Sequence, residues 1–81
     1  RSHLRDLAEG FQASDSADAR IDLTDVEFLD STGLSLVAAV LRTATARGGE
    51  VVVVSPRGIV ARALELSGLA PLVVMEDVER P

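Results

Sequence analysis

The chain has 81 residues, 47% of them hydrophobic and 26% charged, which makes one small domain with enough apolar content for a core and excludes a disordered chain. Thirteen Asp and Glu stand against eight Arg and no Lys, a net charge of -5, so a polyanion is repelled and direct nucleic-acid binding is set aside. The absence of cysteine and a single histidine, His3, exclude a disulfide framework, a thiolate nucleophile and a metal cluster; no cofactor is expected.

Ala, Val and Leu supply most of the apolar residues, and Phe11 and Phe28 are the sole aromatics, so the core must be aliphatic. No apolar run reaches the length of a membrane span and no basic-then-apolar leader opens the sequence, which makes a cytoplasmic protein without a membrane partner the default expectation. Leu4, Leu7, Ala8 and Phe11 recur at i, i+3, i+4 and i+7, predicting a helix from about Ser2 to Phe11 with Ser2 as its cap. A polar loop over 12–19 follows. Ile21 and Leu23 then alternate with Asp22 and Thr24, a short strand over 20–24. Residues 25–30 form a connection expected to carry Val26, Phe28 and Leu29 inward.

From Thr32 to Arg47 the period becomes helical. Leu34, Val37, Leu41 and Ala44 make a stripe widened by Leu36 and Val40, and Gly48-Gly49 stops it. Val51 to Val54 is an unbroken β-branched run between Gly49 and Pro56, which predicts a central strand buried on both faces. Ser55 at the N-cap and Pro56 at the first position are expected to open a third helix, with Ile59, Val60, Ala63, Leu64 and Ser67 on its inner face and Gly68 beyond its last turn. A third strand is expected over Leu72 to Met75. Glu76, Asp77 and Glu79 read as the start of a final helix that Pro81 ends. Alternation at this spacing predicts an α/β domain, its sheet parallel or mixed, with right-handed crossover helices.

The segment from Asp22 to Leu34 carries the strongest functional signal. Ser31 falls where the N-cap of the long helix is expected, exposed and beside first-turn amides that lack intrahelical partners. A phosphate there is favoured by the helix dipole. The plainer reading is a capping serine and nothing more. Asp22, Asp25, Glu27 and Asp30 lie near the carboxyl end of a strand, where α/β domains place ligands, but no Lys or Cys accompanies them, and a solvated acidic loop is the expected reading. Gly33, without a Cβ, is expected to admit a partner's backbone. Leu36 and Ala39, with Ser35 and Arg42 beside them, are either core periphery or the apolar centre of an interface with a polar rim. Arg57 and Gly58 at a helix start are too weak a phosphate signal to use.

Asp30-Ser31-Thr32-Gly33-Leu34, preceded by Ile21-Asp22-Leu23-Thr24 and followed by Gly48-Gly49 and Leu64-Glu65-Leu66-Ser67-Gly68-Leu69, resembles the STAS domain of bacterial anti-sigma factor antagonists over nearly the whole chain. The resemblance implies a single non-enzymatic STAS domain over residues 1–81. In that family an anti-sigma factor that is itself a serine kinase phosphorylates the first Ser of the block; the unphosphorylated protein binds the kinase and so frees a sigma factor. Carried over, Ser31 is the phosphoacceptor, Asp30 its acidic neighbour, Thr32 the second hydroxyl, and Gly33 and Leu34 the start of the docking helix. Together with Ser35, Leu36, Ala39 and Arg42 these form the expected partner-binding face, and a phosphatase acting on Ser31 resets it. Family members open with two strands that carry a Gly-Glu-Leu-Asp-like stretch, and nothing before Arg1 supplies them. The domain is therefore expected to be incomplete at its amino end, with an open sheet edge that favours a homodimer. The alternative keeps the fold and drops the switch, making the chain a regulatory or structural module of an anion or lipid transporter.

Overall fold

The computed structural model describes residues 3–76, apart from the His3 side chain. The elements alternate as the sequence predicts: α1 (His3–Ala13), β1 (Ala19–Asp22), α2 (Ser31–Ala46), β2 (Val51–Val54), α3 (Gly58–Leu66), a 3-10 turn (Ala70–Leu72) and β3 (Val74–Glu76). The strands stand in the order β1-β2-β3 and both pairings are parallel. The register sets Ala19 beside Val51 and Ile21 beside Val53, and all four are buried. Side chains of a strand alternate between faces, so these odd-numbered residues form one continuous apolar floor. Ala8 of α1, Val37, Val40 and Ala44 of α2, and Val60 and Leu64 of α3 close over it in a single cluster. The opposite face carries Arg20, paired with Glu76 across β2, and here Val54 is buried and Val52 half-buried. A central strand covered on both sides is thus observed for the valine run.

The carboxyl ends of α2 and α3 follow one device. At α2, Gly48 donates to the Thr45 carbonyl at 3.0 Å and Gly49 to the Ala44 carbonyl at 2.8 Å; at α3, Gly68 donates to Glu65 and Leu69 to Leu64, at 3.1 and 3.0 Å. These are paired Schellman bonds, and they require the positive φ seen at Gly48 (79°) and Gly68 (83°). The carboxyl end of α1 is satisfied from a distance. The Arg47 guanidinium donates to the carbonyls of Phe11, Gln12 and Ser16 at 3.3, 3.1 and 2.6 Å, and lies 5.1 Å from the centre of the Phe11 ring. One planar cation thereby ties the end of α2 to α1 and to the loop that enters β1.

Several expectations need correction. Phe28 does not turn inward; it is 66% exposed, because the backbone from Val26 to Asp30 forms no strand that would alternate it toward the core. Helix α3 starts at Gly58 rather than Pro56, with Arg57 in the cap position. Ser55 still donates to Glu76 of β3 and has φ 48°, so it belongs to the sheet and to a left-handed turn out of it. Of the residues expected on the inner face of α3, Val60 and Leu64 are buried and Ala63 is half-buried, while Ile59 and the C-cap residue Ser67 are exposed. The third strand begins two residues later than expected, since Pro71 sits in the 3-10 turn and takes the exposed Leu72 with it. Glu76 belongs to β3; the rest of the expected final helix, like the Ser2 cap, lies outside the described residues.

Candidate functional site

The carboxyl ends of β1 and β2 and the amino ends of α2 and α3 meet at one end of the sheet. β1 hands over to the loop through Leu23, which is fully buried and donates to Val54 at 3.0 Å. Asp22 then accepts from both the backbone N–H (2.9 Å) and the hydroxyl of Thr24, a side-chain turn that reverses the chain. Arg57 at the start of α3 donates through Nε to the Thr24 carbonyl at 3.1 Å. The loop is therefore braced from two sides before it reaches α2.

Helix α2 is capped by Asp30, not by Ser31. The Asp30 backbone is extended, and its carboxylate accepts from the Gly33 N–H at 2.9 Å. Both residue types cap well, and the sequence places them side by side; the carboxylate one position earlier satisfies Gly33, and this leaves the serine hydroxyl without that task. Ser31 is thus the first helical residue. It is exposed, and among the described residues its hydroxyl has no hydrogen-bond partner. An exposed, unengaged hydroxyl beside first-turn N–H groups is chemically an acceptor for a phosphoryl group, and the positive end of the helix stabilises the anion that results.

Gly33 is buried, and its missing Cβ serves the chain itself. A Cβ there would lie 2.9 Å from Leu29 Cδ2 and 3.7 Å from Leu4 Cδ2, so the space expected to admit a partner's backbone holds Leu29 instead. The remaining expected interface residues do not all lie together: by helical spacing Leu34 falls on the other flank of the buried stripe from Thr32, Ser35, Leu36, Ala39 and Arg42. Thr32, Ser35 and Arg42 are exposed, Leu36 and Ala39 are half-buried between them, and Leu34 is half-buried against the core. The strip of Thr32, Ser35, Leu36, Ala39 and Arg42 runs along α2 beside the buried stripe of Gly33, Val37, Val40 and Ala44. It is continuous with an open groove of about 800 Å³ whose lining includes Arg5, Asp22, Asp25, Phe28, Thr32 and Leu36. Phe28 and Arg5 were not singled out from the sequence. An aromatic followed two residues later by a cap carried a signal only if the loop was known to be irregular. Among the described residues no group of three His, Cys, Asp or Glu is placed to hold a metal ion. No helix among the described residues is long and apolar enough to cross a membrane.

Comparison with known proteins agrees with this geometry. The family model of the STAS domain matches residues 2–80. An anti-sigma-B factor antagonist of Listeria monocytogenes is 29% identical over 76 residues, covering 94% of this chain and 67% of the relative; its namesake in Listeria innocua matches equally. A crystal structure from Thermotoga maritima, of a protein assigned as an anti-sigma factor antagonist, superposes with a TM-score of 0.70 at 34% identity over 73% of this chain. An NMR structure of the same protein gives 0.76 at 28% over 93%. The chain spans 50% and 60% of those two structures. The parallel sheet, its crossover helices and the match along nearly all of its length show that this chain belongs to the STAS domain family.

Proposed function

We propose that the protein is an anti-sigma factor antagonist whose affinity for its partner is set by the phosphorylation state of Ser31. One observation carries the reading: the Ser31 hydroxyl is exposed and unengaged at the start of α2 because Asp30 has taken over the cap. The antagonists of Listeria, similar along 94% of this chain, support the class of partner. In the proposed cycle the anti-sigma factor is a cytoplasmic serine kinase. It transfers the γ-phosphoryl group of Mg-ATP to the Ser31 oxygen, releasing ADP and the hydroxyl proton, and a phosphatase returns the free serine by hydrolysis. The protein itself catalyses nothing in this cycle.

The physics of the switch is local. The docking strip of Thr32, Ser35, Leu36, Ala39 and Arg42 begins at Ser31, with Asp30, Gly33 and Leu34 fixing the direction of the helix. A phosphate adds a charge of about -2 at that point, beside Asp30 and on a chain already at -5. In a closed contact such a charge must lose water and face a surface selected for a neutral serine, which costs several kcal/mol. The helix dipole holds the same phosphate comfortably in the free protein. Phosphorylation therefore changes binding and leaves the fold intact.

Release of the sigma factor is the direct test. Unphosphorylated full-length protein, added in excess to the preformed complex of the source organism's anti-sigma factor with its sigma factor, is expected to displace the sigma factor on a sizing column. A complex that survives a tenfold molar excess overturns the reading.

A further inference from the structure

Ser31 is the first helical residue, so its two flanks are held differently. Toward α2 the backbone is fixed by the Asp30 cap and by the Leu34 N–H, which donates to the Asp30 carbonyl at 2.9 Å. Toward β1 the chain has few fixtures. Val26 donates back to the Leu23 carbonyl at 3.1 Å, and among the described residues Glu27, Phe28 and Leu29 make no hydrogen bond. Beyond Leu23, one hydrogen bond among the described residues ties this loop to an element other than β1 and α2. It runs from Arg57 Nε to the Thr24 carbonyl, at 3.1 Å and across 33 positions.

Arg57 is delivered from a firm base. Ser55, two residues earlier, is fixed to β3 by its N–H on the Glu76 carbonyl at 2.6 Å and turns the chain out of the sheet at φ 48°. Pro56 restricts the next backbone torsion, and the Arg57 carbonyl accepts from the Ala61 N–H at 2.7 Å, inside the first turn of α3. The bond is made by Nε, the guanidinium nitrogen nearest the backbone, so few side-chain torsions separate the base from the loop. Among the described residues Arg57 forms no ion pair, and a charged donor on a neutral carbonyl is among the stronger hydrogen bonds open to an exposed side chain.

We propose, on the phosphorylation reading above, that Arg57 is a positioning residue for the Ser31 switch: through the Thr24 carbonyl it orders the loop on the amino side of the acceptor serine. In-line transfer fixes the direction between the hydroxyl oxygen and the γ-phosphorus, and that orientation accounts for much of the rate. A loop without its brace has many more conformations, which must be given up each time transfer occurs. The docking strip lies on α2 and does not use the loop. A loosened loop therefore slows transfer and leaves docking as it was.

The experiment follows transfer to Ser31 in full-length wild type, Arg57→Ala and Arg57→Gln, with Mg-ATP and the purified anti-sigma factor from the source organism, together with amide hydrogen exchange on the three proteins. Gln places an amide N–H where arginine has Nε and removes the charge, so it separates the bond from the cation. Arg57→Ala is expected to lower kcat about tenfold with KM within about twofold of wild type. It is also expected to speed exchange of the Thr24 and Val26 amides, which have hydrogen-bond partners in the loop, and to leave exchange in α2 and β2 unchanged. Arg57→Gln is expected to keep most of the wild-type kcat. A general loss of structure instead lowers the folded fraction, which raises KM and quickens exchange throughout the domain. That outcome, a wild-type kcat for Arg57→Ala, or an Arg57→Gln as slow as Arg57→Ala, overturns the positioning role while the switch stands. A wild type that takes no phosphoryl group from a kinase active on a control substrate overturns both.

Discussion

Replacing Ser31 with Asp is expected to lower affinity for the anti-sigma factor about a hundredfold, roughly 3 kcal/mol, with the folded domain unchanged. The substitution puts a permanent carboxylate on the first residue of α2, one position after the Asp30 cap. In the free protein this is harmless: acidic groups in a first helical turn are favoured by the dipole, and among the described residues the Ser31 side chain makes no hydrogen bond or ion pair that the change would break. In the complex the same charge is stripped of water beside a second carboxylate. Ser31→Ala is the matched control, removing the hydroxyl without adding charge, and is expected to bind as wild type does. Titration of the three proteins with the anti-sigma factor, with circular dichroism to confirm equal folding, checks both statements. Equal affinity for Ser31→Asp and wild type contradicts the electrostatic account.

The second large effect concerns stability rather than binding. Gly49→Ala is expected to destabilise the domain by about 3 kcal/mol, which for a chain of this size lowers the thermal midpoint by more than 10 °C, at about 4–8 °C per kcal/mol. A Cβ at position 49 would fall 2.2 Å from the Ala17 carbonyl oxygen and 2.6 Å from Asp18 Oδ1. Neither neighbour can yield cheaply. Residue 18 accepts from the Glu50 N–H at 2.9 Å, and Ala19 donates to the Glu50 carbonyl at 2.9 Å, so the contact lies where β1 and β2 begin their ladder. Gly33→Ala makes the contrast, because its closest neighbour is the tip of the Leu29 side chain at 2.9 Å. That tip can rotate away, and alanine gains helix propensity over glycine, so its midpoint is expected to stay within a few degrees of wild type. Thermal unfolding of both variants separates the two cases; a Gly49→Ala midpoint within a few degrees of wild type refutes the close-packing argument.

The sequence revealed the fold where periodicity and composition agreed. The valine run at 51–54, the helical period from Thr32 onward and the glycines after α2 and α3 all correspond to observed elements, and so does the parallel sheet. Some of its errors came from contacts between segments distant in sequence, others from a local choice that pattern alone does not decide. Ser55 and Pro56 have the chemistry of a helix start, yet a backbone bond from Ser55 to Glu76, 21 positions away, keeps the turn within the sheet. Phe28 has the chemistry of a core residue, but the loop that holds it is shaped by Asp22, Thr24 and Arg57. Ser31 and Asp30 compete for one cap, and no local rule decides between neighbours of equal capping strength. The long reach of Arg47 to three carbonyls left no trace in the pattern at all.

The same limits apply to the site. The Asp-Ser-Thr-Gly-Leu block carried the resemblance to STAS domains, and the family model matches along residues 2–80. Sequence could not assign the cap to Asp30, which is what frees the serine. Nor could it show that the space above Gly33 belongs to Leu29. A capping role for Ser31 would have meant that modifying it unsettles α2. With the cap one residue earlier, the helix keeps its start whichever state Ser31 is in.

That separation between a fixed cap and a free hydroxyl is the centre of the account, and intact mass tests it most directly. Full-length wild type and Ser31→Ala are incubated with Mg-ATP and the purified anti-sigma factor from the source organism, and each is weighed by mass spectrometry. The account predicts one added phosphoryl group on wild type and none on Ser31→Ala. Equal modification of both proteins, or an unmodified wild type in the presence of a kinase active on a control substrate, would contradict it.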